Sequence, residues 1–429
     1  MGSVFEPPEP GAASRPLLPD RGRRRNRVNS LVLMVALGAV IFSGMSLKDS
    51  YGAWQDRRES RALIQDKCAG LADPDTVLAL HGGTGRLVPD QGWGRRNTFG
   101  VAGRPWRCWL ASAEDATKGP HFSLAVDALP REQPLRVIGD EDEPFRGLSP
   151  SRGEDATARA VEARRHPLGD GTLGDYRGRL VTVTARCERP ARDGTTSVLA
   201  SAAAEWKGNV SQTDVRSLAE IARTAADRSA RQIGCEAVLP ELPAKLAETS
   251  VDLGPAAASQ GTCSWYAAFL RGADRGRLPD RSLGAPLAAR TRGESCVLAA
   301  SPAEAERIFP ELTGQERSDQ DLDRVLTRAP WWIQTQTYVG DEAVATQVPH
   351  TGYPVSVIGT KAGRGEHLRY ASADCQGRPA AFTMDTDPVY ARVLGPRLDE
   401  VFTAYATEAA TRRGCTGLVL PGRGEGGRG

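Results

Sequence analysis

The sequence predicts an α+β protein: one N-terminal transmembrane helix followed by two tandem, disulfide-stapled α+β repeats with small antiparallel sheets. Three observations lead there. A 20-residue uncharged run, "VNSLVLMVALGAVIFSGMSL", spans Val28 to Leu47. Eight cysteines follow it in two sets of four, with a spacing of 79 positions from Cys108 to Cys187 and again from Cys296 to Cys375. The phrase "GCEAVLP" at Gly234–Pro240 returns as "GCTGLVLP" at Gly414–Pro421.

Length and composition set the frame. A chain of 429 residues is long enough for two or three domains, each with its own core. The 55 basic and 53 acidic side chains nearly cancel, which gives no reason to expect nucleic acid as a partner. Six lysines stand against 49 arginines, a skew typical of a high-GC genome and pointing to an actinobacterium.

At about 1.5 Å per residue, Val28–Leu47 matches the roughly 30 Å hydrocarbon layer, and the partner predicted for residues 28–47 is membrane lipid. Arg21, Arg23, Arg24, Arg25 and Arg27 precede it and would stay on the cytoplasmic side. Tyr51 and Trp54 suit the outer interface. The reading is therefore N-terminus in, C-terminal domains extracytoplasmic. The competing reading is a cleaved signal peptide with Gly44-Met45-Ser46 as its small-x-small site, although the apolar run exceeds the usual length. Five prolines before residue 20 make residues 1–27 a disordered basic tail, and residues 48–61 a juxtamembrane segment.

Each repeat closes on the same device. "LAEIARTAADRSARQIGC" and "LDEVFTAYATEAATRRGC" align without a gap, pairing Leu218, Ile221, Ala222 and Ala225 with Leu398, Val401, Phe402 and Tyr405. That i, i+3, i+4, i+7 spacing predicts one amphipathic helix per copy. Gly234 and Gly414 then act as left-handed helix stops. Short strands follow at Val238-Leu239 and Val419-Leu420. Further strands are predicted over 104–112, 178–187, 295–301 and 367–375, with helices after the first cysteine of each set at 74–80 and 266–270 and a helix start at Ser301–Glu304. The predicted organisation is repeat 1 over 62–246, a linker over 247–259, repeat 2 over 260–421 and a disordered tail over 422–429.

Recurrence in fours fits disulfides in an oxidising compartment. Four cysteines allow three pairings per repeat; pairing in chain order is favoured, Cys68 with Cys108, Cys187 with Cys235, Cys263 with Cys296 and Cys375 with Cys415. Each such loop is worth about 3–4 kcal/mol. Zinc is the alternative, against which stands the lack of any C-x-x-C pair.

No motif of the chain completes a catalytic set, and no cofactor or metal is predicted. "GDGTLG" (Gly169–Gly174) has dinucleotide-loop spacing without the strand before and helix after it that the chemistry needs, so it reads as a turn. "HGGTG" (His81–Gly85) reads as a helix exit. Asp319, Asp321 and Asp323 imitate a calcium loop but lack its glycine and closing glutamate, so they read as an acidic helix start. The acidic run Asp140–Glu143 reads as an exposed loop, and Asn209-Val210-Ser211 forms a glycosylation triplet. His166 and His350 fall in comparable regions of the repeats and read as surface or turn residues. Trp331-Trp332 is the candidate ligand contact, stacking on a sugar or peptide; the alternative is that a strand turns one of the two to the core.

On Cys68, "CWL" at Cys108, "CVL" at Cys296, "PLGDG" at Pro167–Gly171 and the two closing phrases, the chain resembles the single-pass, membrane-anchored envelope proteins of streptomycetes and related actinobacteria, with duplicated four-cysteine extracytoplasmic domains. It is also similar to the cysteine-paired lipoprotein and kinase-sensor modules of actinobacteria, from which it departs by lacking a lipidated cysteine and a kinase domain. The resemblance implies an anchored, extracytoplasmic location and no activity. The function expected is a non-catalytic binding or scaffold module of the cell envelope that engages another envelope protein or a small ligand. The alternatives are an envelope enzyme such as a cell-wall hydrolase, or a subunit of a membrane complex.

Overall fold

The computed structural model describes residues 21–83, 85–89, 106–113, 121–129, 136–137, 143–148, 154–206, 210–314, 317, 321–349 and 354–422; the side chains of 21–26, 38–49 and 136–137 are not among them. The chain divides into two compact units, Met1–Arg58 and Glu59–Gly429.

The described residues of the first unit lie in helix α1 (Arg21–Lys67), whose residues after Arg58 belong to the second unit. Val28–Leu47 is helical, and Val28, Leu31, Val32, Leu33, Met34, Val35 and Leu37 are all exposed. Among the described residues, however, no helix is long and apolar enough to cross a membrane, so the predicted span is not supported by the helix itself. Side chains 38–49, its second half, lie outside the described residues, as do those of Arg21, Arg23, Arg24 and Arg25; Arg27 is exposed.

The second unit is built on two large antiparallel sheets. The first contains β1 (Leu87–Pro89), β2 (Trp106–Ser112), β3 (Phe122–Leu129), β5 (His166–Pro167), β6 (Gly174–Arg177), β7 (Leu180–Arg186) and β8 (Ser197–Ala204). Its order is β1-β2-β3-β8-β7-β6-β5. The second contains β9 (Gly254–Pro255), β10 (Arg281–Leu283), β11 (Gly293–Ala299), β12 (Trp332–Val339), β15 (Gly363–Arg364), β16 (Leu368–Cys375) and β17 (Pro379–Thr386), ordered β9-β10-β11-β12-β17-β16-β15. With cysteine-bearing β2 set against β11, and β7, which ends just before Cys187, set against β16, six strands correspond in order. The repeated cysteine spacing is thus matched by a repeated topology. A third small sheet joins β4 (Arg136–Val137) in parallel to β13 (Thr346–Val348), which pairs with β14 (Val355–Ser356).

Each large sheet carries the long helix its sequence predicts. Helix α3 (Gln212–Gln232) starts on a capping box in which Ser211 and Asp214 exchange side-chain-to-backbone bonds. Its stripe, Leu218, Ile221, Ala222 and Ala225, is fully buried in the core of the first sheet. Gly234, at φ +75°, closes it: Gly234 N–H bonds to Arg231 O and Cys235 N–H to Ala230 O, the paired bonds of a Schellman stop. Helix α7 (Arg397–Arg412) buries Leu398, Val401, Phe402 and Tyr405 in the second core and ends before Gly414 at φ +63°. Of the shorter helices, α2 (Pro74–Ala79) and α4 (Ser264–Gly272) follow the first cysteines, and α5 (Pro302–Ile308) is capped by Ser301 on Glu304 N–H. Helix α6 (Pro388–Leu394) is capped by Asp387.

Four disulfides join neighbours in chain order: Cys68–Cys108, Cys187–Cys235, Cys263–Cys296 and Cys375–Cys415. The closing phrases differ in outcome. Cys415–Val419 forms strand β18, paired with β16. Val238-Leu239 forms no strand, because Arg223 of α3 takes the Leu239 and Pro240 carbonyls, and Val238 is exposed.

Residues 247–259 are ordered against both halves of this unit. Tyr176 Oη donates to Ala247 O, Ala160 N–H to Val251 O and Leu253 N–H to Ala158 O, after which β9 pairs with β10. Phe145 and Ala160 pack with Leu283, Val297, Ala299 and Trp332 in one small apolar cluster. Arg281 reaches back to Asp155 at 2.6 Å.

Candidate functional site

Strand β12 reads "WIQTQTYV", and its period of two gives it two different faces. Ile333, Thr335, Thr337 and Val339 form one face; Ile333 and Val339 lie in the core beneath α7, and Thr337 Oγ1 bonds Tyr405 Oη at 2.7 Å. Trp332, Gln334, Gln336 and Tyr338 form the other. In register with them on β11 stand Val297 opposite Gln334, Ser295 opposite Gln336 and Gly293 opposite Tyr338. This polar outer face is the floor of a cleft of about 240 Å³. Its opposite side is made by the first half of the unit: the turn Glu143–Arg146, the run Val161–Arg165 and Arg177 of β6.

The cleft combines charge with burial. Arg164 is only 7% exposed and its Nη2 donates to Glu162 O at 2.8 Å, which fixes the guanidinium. Arg177 pairs with Glu162 at 2.9 Å. Arg165 lies 3.3 Å from Glu342 and 3.9 Å from Asp175, and Gly293 leaves room for that pair: a Cβ there would stand 3.2 Å from Arg165 Nη1. Burial pushes the Asp175 carboxyl above its usual range, opposed by the Arg165 charge. Burial likewise pulls the neighbouring Arg292 guanidinium down. Glu294, 6% exposed, is held by Arg412 at 2.8 Å and Arg413 at 2.6 Å, so its charge is matched within the structure. The Oε1 of Gln334 is buried without a hydrogen-bond partner among the described residues, while Gln336 Oε1 accepts from Tyr338 Oη. A buried acceptor left empty costs about 1–3 kcal/mol, which makes Gln334 the site's clearest sign of a missing donor.

Two other polar clusters lie elsewhere. His367 Nδ1 stands 2.9 Å from Asp385 Oδ1 on β17, opposite Gln334 in register. His121 stacks on Trp206 at 4.8 Å, with His81 edge-on to both rings. Among the described residues no group of three His, Cys, Asp or Glu side chains is placed to hold a metal ion.

The candidates read from sequence fall away from the cleft. Trp331 is fully buried and stacks on Tyr390 at 5.2 Å and 6° between planes. Trp332 is 5% exposed and packs against Phe145 and Ala160 in the small apolar cluster. Both serve packing, and neither lines the cleft. The eight cysteines are all in disulfides. "GDGTLG" is a turn whose glycines answer to sterics: Gly171 and Gly174 have φ of +87° and +144° and abut backbone atoms of Thr291 and Thr182. "HGGTG" begins as a helix exit, with Leu80–Gly82 in 3-10 geometry after α2. Asp321 caps the helix Leu322–Thr327, as an acidic helix start should. His166 is no surface residue; it lies in β5, 6% exposed, packed on Tyr176. Asp319, His350, Asn209 and Asp140–Asp142 lie outside the described residues, whereas Glu143 lines the cleft.

The cleft residues Arg164, Arg165, Arg177, Gln334, Gln336 and Tyr338 carry no motif. The available signal was the Gln-Thr-Gln-Thr alternation of β12, polar on both faces of a central strand. No protein-family model, curated protein or solved structure matches this chain.

Proposed function

We propose that the protein is a membrane-anchored, extracytoplasmic binding module of the cell envelope that takes a small ligand between its two halves without changing it. The observation that carries the binding part is Gln334, a buried acceptor with no donor among the described residues, on the floor of a cleft walled by both halves. Anchoring draws on the uncharged run Val28–Leu47, on its exposed apolar side chains from Val28 to Leu37 and on the arginines before it. The outward location draws on four disulfides, which persist in oxidising compartments. The resemblance to anchored actinobacterial envelope proteins agrees with both.

Protease added to intact spheroplasts tests the location: the Glu59–Gly429 unit is expected to be digested, and its full protection would overturn the outward orientation. Incubating the full-length protein in detergent with soluble peptidoglycan fragments tests the chemistry. Unchanged fragments are expected; release of cleavage products would replace the binding module with a cell-wall hydrolase. Cross-linking in intact cells tests the envelope-protein partner, and recovery of one stoichiometric assembly would make the chain a subunit of a membrane complex instead.

A further inference from the structure

The charged groups that line the cleft are engaged within the protein. Arg177 pairs with Glu162 at 2.9 Å and Arg165 with Glu342 at 3.3 Å. Glu294 is held between Arg412 and Arg413. Glu143, Arg146 and Arg164 each have a partner as well. A charged ligand would have to draw one of these groups from its partner, and separating a partly buried ion pair leaves a charge uncompensated. An uncharged ligand leaves every pair intact.

The open hydrogen-bonding capacity lies on the neutral floor. Gln334, 4% exposed, has its Oε1 buried without a partner among the described residues. Gln336, two residues on along the same face, has its oxygen taken by Tyr338 Oη, which leaves the amide nitrogen as the group it can offer. Ser295 stands directly opposite Gln336 on β11 and adds a hydroxyl to the same lining. An acceptor, an amide nitrogen and a hydroxyl on adjacent strands suit a molecule with donors and acceptors of its own. Tyr338, the one aromatic among the described lining residues, is 3% exposed, so recognition runs through hydrogen bonds and not through stacking on a ring face. At about 240 Å³ the space is also smaller than the roughly 300–1,000 Å³ of a drug-sized site.

From these facts we infer that the cleft binds a small uncharged molecule that donates an N–H or O–H to Gln334 Oε1 and accepts from the Gln336 amide. The inference rests on the binding reading above and narrows it to a ligand class. An amide and a hydroxyl compound share the required chemistry, and the test separates them. Selectivity follows from the same features: a ligand without a donor leaves the buried acceptor unpaired, and a charged one has to break an ion pair of the wall.

The test uses the full-length chain, in a detergent without a sugar head group, with five probes: N-acetylalaninamide, glucose, glucuronate, glucosamine and dimethylacetamide. Calorimetric titration and thermal shift are read together. The alanine amide or glucose is expected to bind with Kd of about 1 mM or tighter, and whichever binds more tightly names the donor. Glucuronate and glucosamine, which carry charge, and dimethylacetamide, which has no donor, are each expected to bind at least about tenfold more weakly than that probe. Because no charge is exchanged, its Kd should agree within about twofold between about 0.05 and 0.5 M salt. Gln334→Met removes the acceptor without stranding a partner, so it is expected to weaken the favoured probe by about tenfold while leaving the melting temperature unchanged or raised. Ser295→Ala, a smaller change on the neighbouring strand, is expected to weaken it by about threefold.

Tighter binding of glucuronate or glucosamine, lost in Gln334→Met, would overturn the uncharged class and leave the cleft as a binding site. Dimethylacetamide binding as tightly as the alanine amide would overturn the donor requirement. Failure of every probe to bind, or binding indifferent to Gln334→Met, would overturn the assignment. Chemical change in a bound uncharged probe, read by mass spectrometry, would instead sink the non-catalytic reading while supporting the ligand class.

Discussion

Gly171 and Thr291 touch so closely that a Cβ on Gly171 would lie 2.6 Å from the Thr291 backbone nitrogen. One belongs to the turn between β5 and β6, the other to the approach to β11, so the contact joins the two halves of the unit. Gly171 also has φ +87°, which side chains strongly disfavour. Gly171→Ala is therefore expected to cost at least about 2 kcal/mol, through strain and through parting of the two backbones. Gly178→Ala is the control: it also has positive φ, yet no atom lies within 4 Å of its Cβ position. Chemical denaturation should show the larger loss for Gly171. Equal losses would mean that conformational strain, not the contact, is what Gly171 relieves.

Glu294 anchors the end of α7 to the second sheet. Arg412 donates through Nη1 at 3.0 Å and Nη2 at 2.8 Å, and Arg413 lies 2.6 Å away with its side chain only 7% exposed. Removing the carboxylate strands a buried guanidinium, so Glu294→Leu is expected to cost about 3–5 kcal/mol. Arg412→Met, whose partner keeps Arg413, should cost clearly less. The comparison is made by urea titration, and equal costs would mean that Arg413 does not compensate Glu294.

Why the framework was legible and the cleft was not follows from where the information sits. The stripe Leu218–Ala225, the stop at Gly234 and the serine cap of α5 are local, and each depends on residues within one or two turns. The cysteine spacing is longer in range but is duplicated, so the second copy reports on the first. The cleft has neither advantage. Arg164 lies in an irregular run with no period, and Gln334 lies on a strand whose outer face is met by segments far away in the sequence, Glu143–Arg146, Val161–Arg165 and Arg177. His166 misled for the same reason: nothing near it in the sequence announces that Tyr176 will pack against it.

His121 and His166 make stability depend on acidity. Both are less than 10% exposed, and each has a ring nitrogen without a hydrogen-bond partner among the described residues. Burial holds both well down, to about 4, with the neighbouring His81 charge adding to the effect at His121. In the unfolded chain each binds its proton near pH 6.5, so between pH 6.5 and 4 the unfolded state carries more protons. Stability is thus complete above pH 6.5 and falls as pH drops toward 4, by about 2–3 kcal/mol per histidine. Denaturation at pH 7 and pH 4.5 should show the drop, and His166→Gln should flatten it. An unchanged slope in that variant would exclude His166 as a source.

The disulfides set a separate contribution. Each closes a loop of 33 to 48 residues, for which unfolded-state entropy gives about 4 kcal/mol. The Cys187–Cys235 bond ties the end of β7 to the stop of α3, and replacing both cysteines (Cys187→Ser with Cys235→Ser) should lower stability by about 2–4 kcal/mol while leaving the second sheet folded. Hydrogen exchange resolves the two: protection lost equally from β7 and β16 would show that the halves unfold as one.

Asp387 titrates with the opposite sign to the histidines. It caps α6 by accepting Tyr390 N–H at 2.8 Å, yet burial raises its carboxyl to about 6, with the Glu143 charge contributing and the Tyr390 bond opposing. Because the folded value exceeds the unfolded 3.8, the contribution is full below pH 3.8 and is lost as pH rises through 6. At pH 7 the protein therefore holds a buried charge at a cost of about 1–3 kcal/mol. Asparagine caps a helix as well as aspartate and carries no charge. Asp387→Asn is accordingly expected to stabilise the protein at pH 7 by about 1–2 kcal/mol and to change little at pH 4. Destabilisation at pH 7 would mean that the ionised cap contributes more to α6 than its burial costs.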